Sequence, residues 1–236
     1  MEKDNGFVEA TTPYWQRLLS PVSTSEETSF RYAYPARLPD GRHLLLPIRR
    51  RPDDPGRAVA SFLANHASFD VIDAIAEAMT DLARPFAPDV IVGVPTLGLA
   101  LAPLIAKQLG HENFVPLGYS KKYWYREDLA EPVRSITSPD ARKHVWLDPN
   151  LLPRIRNKRL ILVDDTISSG TTISAVLRLL EKADAAPAAL IFAMNQGDRW
   201  RPHLDASWHD KVHAVFFSPL LRATPDGWVP ELDIVD

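Results

Sequence analysis

The chain has 236 residues, 45% apolar and 24% charged, which is enough for a real hydrophobic core in one large domain or an elaborated one. A formal charge of −3 gives no bulk attraction for nucleic acid or for an anionic membrane surface. The absence of cysteine excludes disulfides, thiolate catalysis and Cys-ligated metal.

The opening MEKDNGFVEATTPYW has no basic segment leading into an apolar run, so it does not read as a signal peptide, and a cytoplasmic location is the default expectation. Residues 1–28 are polar and read as an arm. FRYAYPARL and RHLLLPIRR then flank Pro39-Asp40-Gly41, a turn signal between two strand-like runs, and predict a hairpin. From Ser68, a capping residue, Val71, Ile72, Ile75, Met79 and Leu82 keep a helical apolar spacing up to Pro85.

Val90–Ala106 is uncharged for 17 residues, close to the lower length for a membrane span. Its two prolines and two glycines fit a strand (89–95), a turn at Thr96-Leu97-Gly98 and a helix ending at Gly110. FVPLG (114–118) is a further strand. Strand–helix–strand alternation implies parallel pairing with right-handed crossovers. Residues 119–149 interrupt it with a long segment carrying Lys121, Lys122, Arg126, Arg134, Arg142 and Lys143, and long loops in compact domains are usually functional or disordered. The alternation resumes with LILVDDTISSGTTISAVLRLL (160–180), AALIFAM (188–194) and VHAVFF (212–217).

In the first of these, Leu160–Val163 reads as a central strand covered on both faces. Ile173, Val176, Leu177 and Leu180 keep the spacing of a helix packed on its sheet. The turn between them therefore falls at the carboxyl edge of the sheet, where open α/β folds bind ligands. Its N–H groups and the helix dipole favour an anion, Gly170 permits close approach, and Ser168, Ser169, Thr171 and Thr172 add hydroxyl donors. Asp164 and Asp165 cannot serve that same phosphate. They suit the hydroxyls of a sugar that carries it, or a magnesium ion attached to it. A sugar phosphate is the smallest ligand that accounts for both halves. The chain has neither GxxxxGK[ST] nor GxGxxG, which removes the nucleotide-loop alternatives.

LILVDDTISSGTT resembles the phosphoribosyl-pyrophosphate (PRPP) motif of the type I phosphoribosyltransferases. The likeness covers roughly residues 70–218. It implies an α/β, Rossmann-like fold: a central, mostly parallel sheet flanked by helices, with an N-terminal hairpin hood. Expected regions are the arm and hood (1–67), the core (68–218) with a mobile loop (120–143), and a C-terminal tail (219–236).

By the same resemblance Asp164 and Asp165 would hold the ribose hydroxyls. Thr166 and the run Ser168, Ser169, Gly170, Thr171 and Thr172 would bind the 5-phosphate. Thr96, Leu97 and Gly98 would supply backbone donors to pyrophosphate, in a turn that in relatives often contains a non-proline cis peptide. Lys121 and Lys122, at the loop entry, would meet the leaving pyrophosphate, with Lys121, Lys122 and Asp165 as the catalytic set. Magnesium would arrive with PRPP, touching Asp164 and Asp165 at most indirectly.

The implied reaction transfers the 5-phosphoribosyl group from PRPP to a nucleobase and releases pyrophosphate. No nucleic acid or membrane partner is expected, and a homodimer is implied. Asn195 and Gln196, just past a core strand, are candidate base contacts. The hood leans toward orotate-like or adenine-like relatives. Ser168, where 6-oxopurine enzymes often carry an aspartate, and the absence of Lys-x-x-His-Gly leave the base open. The alternative is a non-catalytic PRPP-sensing regulator of the same fold.

Overall fold

The computed structural model describes residues 12–21, 28–133 and 143–231. The N-terminal hairpin forms as read: β1 (Ala33–Arg37) pairs antiparallel with β2 (His43–Arg50), and Leu44 and Leu46 are fully buried beneath it. β3 (Arg57–Ala60) adds to β2 after a turn through the charged run RPDDPG. Helix α1 (Phe69–Ala83) begins where Ser68 Oγ accepts the Val71 N–H at 3.3 Å. It buries Val71, Ile72, Ile75 and Met79, each of the latter two a side chain whose truncation to alanine costs roughly 2–5 kcal/mol.

The apolar run that has the length of a span is divided between β4 (Val90–Gly93), a single-turn segment at Leu97–Ala100 and α2 (Ala102–Gln108). Among the described residues no helix is long and apolar enough to cross a membrane. After the short β5 (Val115–Pro116), the segment expected as a mobile loop is in part a two-stranded ribbon. β6 (Ala130–Val133) pairs antiparallel with β7 (Lys143–Trp146), while Arg134 and Arg142 lie outside the described residues.

The ribbon forms because Leu129, Val133 and Val145 give it an apolar side that enters the core beneath. Its base is tied down by Gly118, which exchanges both backbone hydrogen bonds with Trp146.

A short helix, α3 (Leu152–Ile155), leads into β8 (Leu160–Ile167), α4 (Thr171–Lys182), β9 (Pro187–Gln196) and β10 (Val212–Ser218). The parallel sheet has the order β10-β9-β8-β4-β5. Its central strands β4, β8 and β9 are covered on both faces, by α1 and α2 on one side and α4 on the other, which is why they read as apolar runs.

The chain then returns to the hood. β11 (Leu220–Thr224) pairs with β3 and β12 (Gly227–Glu231) pairs with β11, giving a second sheet of order β1-β2-β3-β11-β12. The described part of the expected tail is thus structural. Pro225-Asp226-Gly227 turns it as Pro39-Asp40-Gly41 turns the first hairpin.

Candidate active site

β8 does not end at Val163. It continues through Asp164, Asp165 and Thr166 to Ile167, because β9 pairs with it as far as Ile167↔Asn195. On the other edge β4 stops: the last pair is Gly93↔Val163, and the Val94 N–H donates to the Val163 carbonyl at 2.9 Å. The two aspartates therefore keep one neighbouring strand and lose the other. The gap is a cleft of about 260 Å³.

The turn that follows β4 forms one wall. The Pro95–Thr96 peptide is cis, and Pro95, Thr96 and Leu97 line the cleft. Gly98 sits directly on β8, with its N–H directed at the Asp164 carboxyl. A Cβ at Gly98 would lie 2.8 Å from Asp164 Oδ1 and 2.8 Å from the Val163 carbonyl oxygen, so only glycine fits. The loop Ser168–Thr172 and the start of α4 form the opposite wall. Gly170 caps α4 with φ +75, and a Cβ there would also crowd the Trp200 backbone at 3.1 Å. Ser169 Oγ and Thr171 Oγ1 lie 3.0 Å apart, so two hydroxyls stand together where α4 begins. Hydroxyls at the N-terminus of a helix are chemistry that suits an anion.

Asp164 and Asp165 are 7% and 8% exposed. Burial, and next the charge of Asp165, pushes the Asp164 carboxyl well above the ordinary range. Burial also raises Asp165, against hydrogen bonds from its neighbours. The Asp165 N–H donates to Asp164 Oδ1 at 2.9 Å, and Thr166 Oγ1 donates to Asp165 Oδ2 at 3.3 Å. Tyr119, half-buried on the third wall, is pushed up to about 12, by burial and then by the two aspartates. Two buried carboxyls side by side are suited to sugar hydroxyls, which can donate to their oxygens.

Among the described residues, the cation lining this cleft is one the sequence does not single out. Lys143, the first residue of β7, lines it, with Nζ 3.4 Å from the centre of the Tyr119 ring. Lys121 is directed away, paired with Glu127 and lying 5.3 Å from the Trp146 ring centre, and Lys122 is exposed outside the lining. No sequence signal separates Lys143 from the other basic residues of 119–149; the pairing of β7 with β6 is what fixes its position.

Asn195 and Gln196 do not line the cleft either. Asn195 Oδ1 accepts from Trp200 Nε1 at 3.0 Å, and Gln196 is buried with both ends of its amide hydrogen-bonded. Trp200 is 1% exposed and packed edge-on against His209, so its indole is not open for stacking. A larger groove of about 600 Å³, beside Leu177, Leu204 and Trp208, shares no lining residue with the cleft.

A sequence profile of the family described as "Phosphoribosyl transferase domain" matches residues 58–216. Over 116 residues the chain is 32% identical to the Bifunctional protein PyrR of Pasteurella multocida, covering 48% of this chain and 61% of that one. Over 134 residues it is 23% identical to the Transcriptional regulator GfcR of Methanocaldococcus jannaschii, covering 57% and 51%. Over 137 residues it is 28% identical to a xanthine phosphoribosyltransferase of Chloroflexus aurantiacus, covering 57% and 62%. The chain thus spans about half to three fifths of the length of these relatives.

Among solved structures, the adenine phosphoribosyltransferase of Rhodothermus marinus superposes with a TM-score of 0.55 at 24% identity, over 72% of this chain and 93% of that one. That of Trypanosoma brucei, in complex with AMP, pyrophosphate and ribose 5-phosphate, gives 0.55 at 18% identity, over 78% and 75%. These likenesses speak to the fold.

Proposed function

The chain belongs to the phosphoribosyl transferase domain family, and from that premise we propose that it transfers the 5-phosphoribosyl group of PRPP to a nucleobase with release of pyrophosphate. The observation that carries the reading is the opposition, across one cleft, of the buried Asp164–Asp165 pair, the hydroxyl loop Ser168–Thr172 and the Pro95–Gly98 turn. One element suits a ribose, one its 5-phosphate, one a second phosphate group.

In this reading the 5-phosphate sits on the N-terminus of α4, receiving N–H groups of the loop and the hydroxyls of Ser169, Thr171 and Thr172. Asp164 and Asp165 hold the ribose hydroxyls and so fix the orientation of C1. Pyrophosphate lies along the Thr96–Gly98 backbone. The acceptor nitrogen bonds to C1 as the C1–O bond to pyrophosphate breaks, and the electron pair of that bond leaves on the pyrophosphate. The transition state is oxocarbenium-like, so positioning and stabilisation of the departing charge do most of the work. Lys143, carried by the ribbon, is the side chain placed to neutralise that charge. The ribbon also walls off water that would otherwise compete for C1.

Magnesium fits the donor set in a limited way. No cluster of three metal-ligating side chains occurs among the described residues, but two carboxylates do face the cleft. Magnesium typically takes one or two carboxylates and completes its shell with phosphate oxygens and water. Asp164 and Asp165 would hold it through water, and it would supply charge neutralisation on the diphosphate.

A second reading, a PRPP-responsive regulator, draws on the orientation of Lys121 away from the cleft and on the match to a transcriptional regulator. One experiment separates the two: incubation with PRPP, magnesium and each of a panel of purines and pyrimidines, scored by pyrophosphate release. Release with one base above the base-free rate supports transfer and names the acceptor. PRPP binding without release for any base supports the regulator. A cytoplasmic homodimer belongs to the same proposal, with sedimentation analysis as its check.

A further inference from the structure

Ser168 reads from the sequence as one more hydroxyl donor to the phosphate. Its hydrogen bonds give it another task. The Ala60 carbonyl at the end of β3 can only accept, so the amide nitrogen of Gln196 must face it, at 2.8 Å. The amide oxygen then faces Ser168 Oγ, also at 2.8 Å, and the serine has to donate. Its single proton is thereby committed. The lone pairs of the same oxygen accept from Arg199 Nη2 at 3.0 Å. Gln196 is 7% exposed and bridges two sheets, the hood at Ala60 and the parallel sheet on which it resides. Arg199 also reaches the hood electrostatically. Asp53, in the turn between β2 and β3, is held below the ordinary range first by Arg51, and Arg199 adds to that effect.

We propose that Gln196 and Arg199 are positioning residues for the phosphate loop. The buried amide fixes Ser168 as a junction to hood strand β3, and Arg199, bonded to that junction, lends the loop a positive charge. The inference rests on the reading of Ser168–Thr172 as a phosphate site. It changes the division of labour within that site: backbone N–H groups and the hydroxyls of Ser169, Thr171 and Thr172 contact the phosphate. Ser168 sets where they stand and how strongly the loop attracts an anion. Affinity for the phosphorylated ligand becomes linked to docking of the hood on the core, because Ala60 holds one end of the relay.

The test is calorimetric titration of the full chain with ribose 5-phosphate at several salt concentrations. Gln196→Leu and Ser168→Ala should each raise Kd about tenfold, the scale of one lost hydrogen bond in the relay. The double variant should be no weaker than the poorer single one, because both cut the same relay. Arg199→Met should raise Kd and flatten the salt dependence, and Arg199→Lys should recover part of both, which a purely structural role would not do. If Gln196→Leu fails to fold, the exchangeable Arg199 pair still decides the matter. Additive losses in the double variant, or an unchanged salt slope in Arg199→Met, overturn the relay. A wild-type protein that does not bind ribose 5-phosphate overturns instead the reading of the loop on which the relay stands.

Discussion

Gly98 lies against Asp164 so closely that the turn after β4 and strand β8 have no room for a methyl group between them. Gly98→Ala would put a carbon 2.8 Å from a carboxyl oxygen and from a strand carbonyl, contacts that real structures avoid. The turn or the aspartate has to move. Overpacking of this kind costs about 1–3 kcal/mol in stability, and it also separates the two halves of the cleft. Affinity for PRPP with magnesium should fall by roughly tenfold or more, a loss of at least about 1.4 kcal/mol. Calorimetry and a thermal melt measure the two effects separately. A variant that binds PRPP as tightly as wild type would show that the turn need not rest on β8.

The aspartate pair predicts a conflict between stability and binding. A carboxyl whose folded value is raised stays protonated in the native state at pH values where the unfolded chain ionises it. Its contribution to stability is fully present below the unfolded value near 3.8 and is lost as pH rises through the folded value. Above that window the ligand-free protein carries the cost of two adjacent buried charges. Asp164→Asn should therefore melt higher than wild type at neutral pH without ligand, with the gap closing in acid. PRPP binding should weaken in the same variant. Melting curves from pH 4 to 8, with and without PRPP and magnesium, test both halves; a variant that melts lower across the whole range would contradict the burial of charge at Asp164.

Lys143 and Lys121 should differ sharply. Lys143 lines the cleft over Tyr119, whereas Lys121 is paired with Glu127. If the departing pyrophosphate is neutralised from the ribbon, Lys143→Met lowers kcat by about 10²-fold or more, the scale of a lost electrostatic partner in the transition state. Lys121→Met stays within about twofold, as expected for an exposed ion pair. Steady-state rates with the base identified by the panel give the comparison. Equal losses would return the role to the loop entry.

Much of this site is legible in the sequence because local rules and the tertiary fold agree there. Ser68 caps its helix, the apolar runs are the doubly covered strands, and two acids before a Ser/Thr/Gly loop mark the carboxyl edge of the sheet. What is not legible depends on partners distant in sequence. The aspartates sit inside β8 because β9 is long and β4 is short. Gln196 looks like a free amide until Ala60, 136 residues away, claims its nitrogen. Lys121 and Lys143 are equally basic in sequence, and only the pairing of β6 with β7 decides which one faces the cleft. The strands β11 and β12 carry the same Pro-Asp-Gly turn as the first hairpin, but their partner is the hood at the far end of the chain.

That ribbon is held by a buried carboxylate. Glu131 of β6 is 7% exposed and sits between Lys182 Nζ, at 2.6 Å, and Arg178 Nε, at 3.2 Å, both on α4. Lys182 also donates to the Ala130 carbonyl at 2.9 Å. Burial pushes the Glu131 carboxyl up, but Lys182 and Arg178 outweigh it and leave it below its ordinary value. A carboxyl lowered in the folded state adds stability above the unfolded value near 4.5 and loses it as pH falls through the folded value. The two cations are about half exposed, so solvent screening limits the effect, and Glu131→Gln should cost about 1–2 kcal/mol at neutral pH. Because α4 begins at the Ser168–Thr172 loop and β6 pairs with the strand that Lys143 begins, the same substitution loosens the wall that carries the cation. Glu131→Gln should therefore lower kcat and leave ribose 5-phosphate affinity within about twofold, since the loop itself is untouched. Hydrogen exchange of residues 130–133 should rise in parallel with the loss of turnover. Unchanged exchange there, with turnover reduced, would separate the clamp from the ribbon and assign Glu131 to overall stability alone.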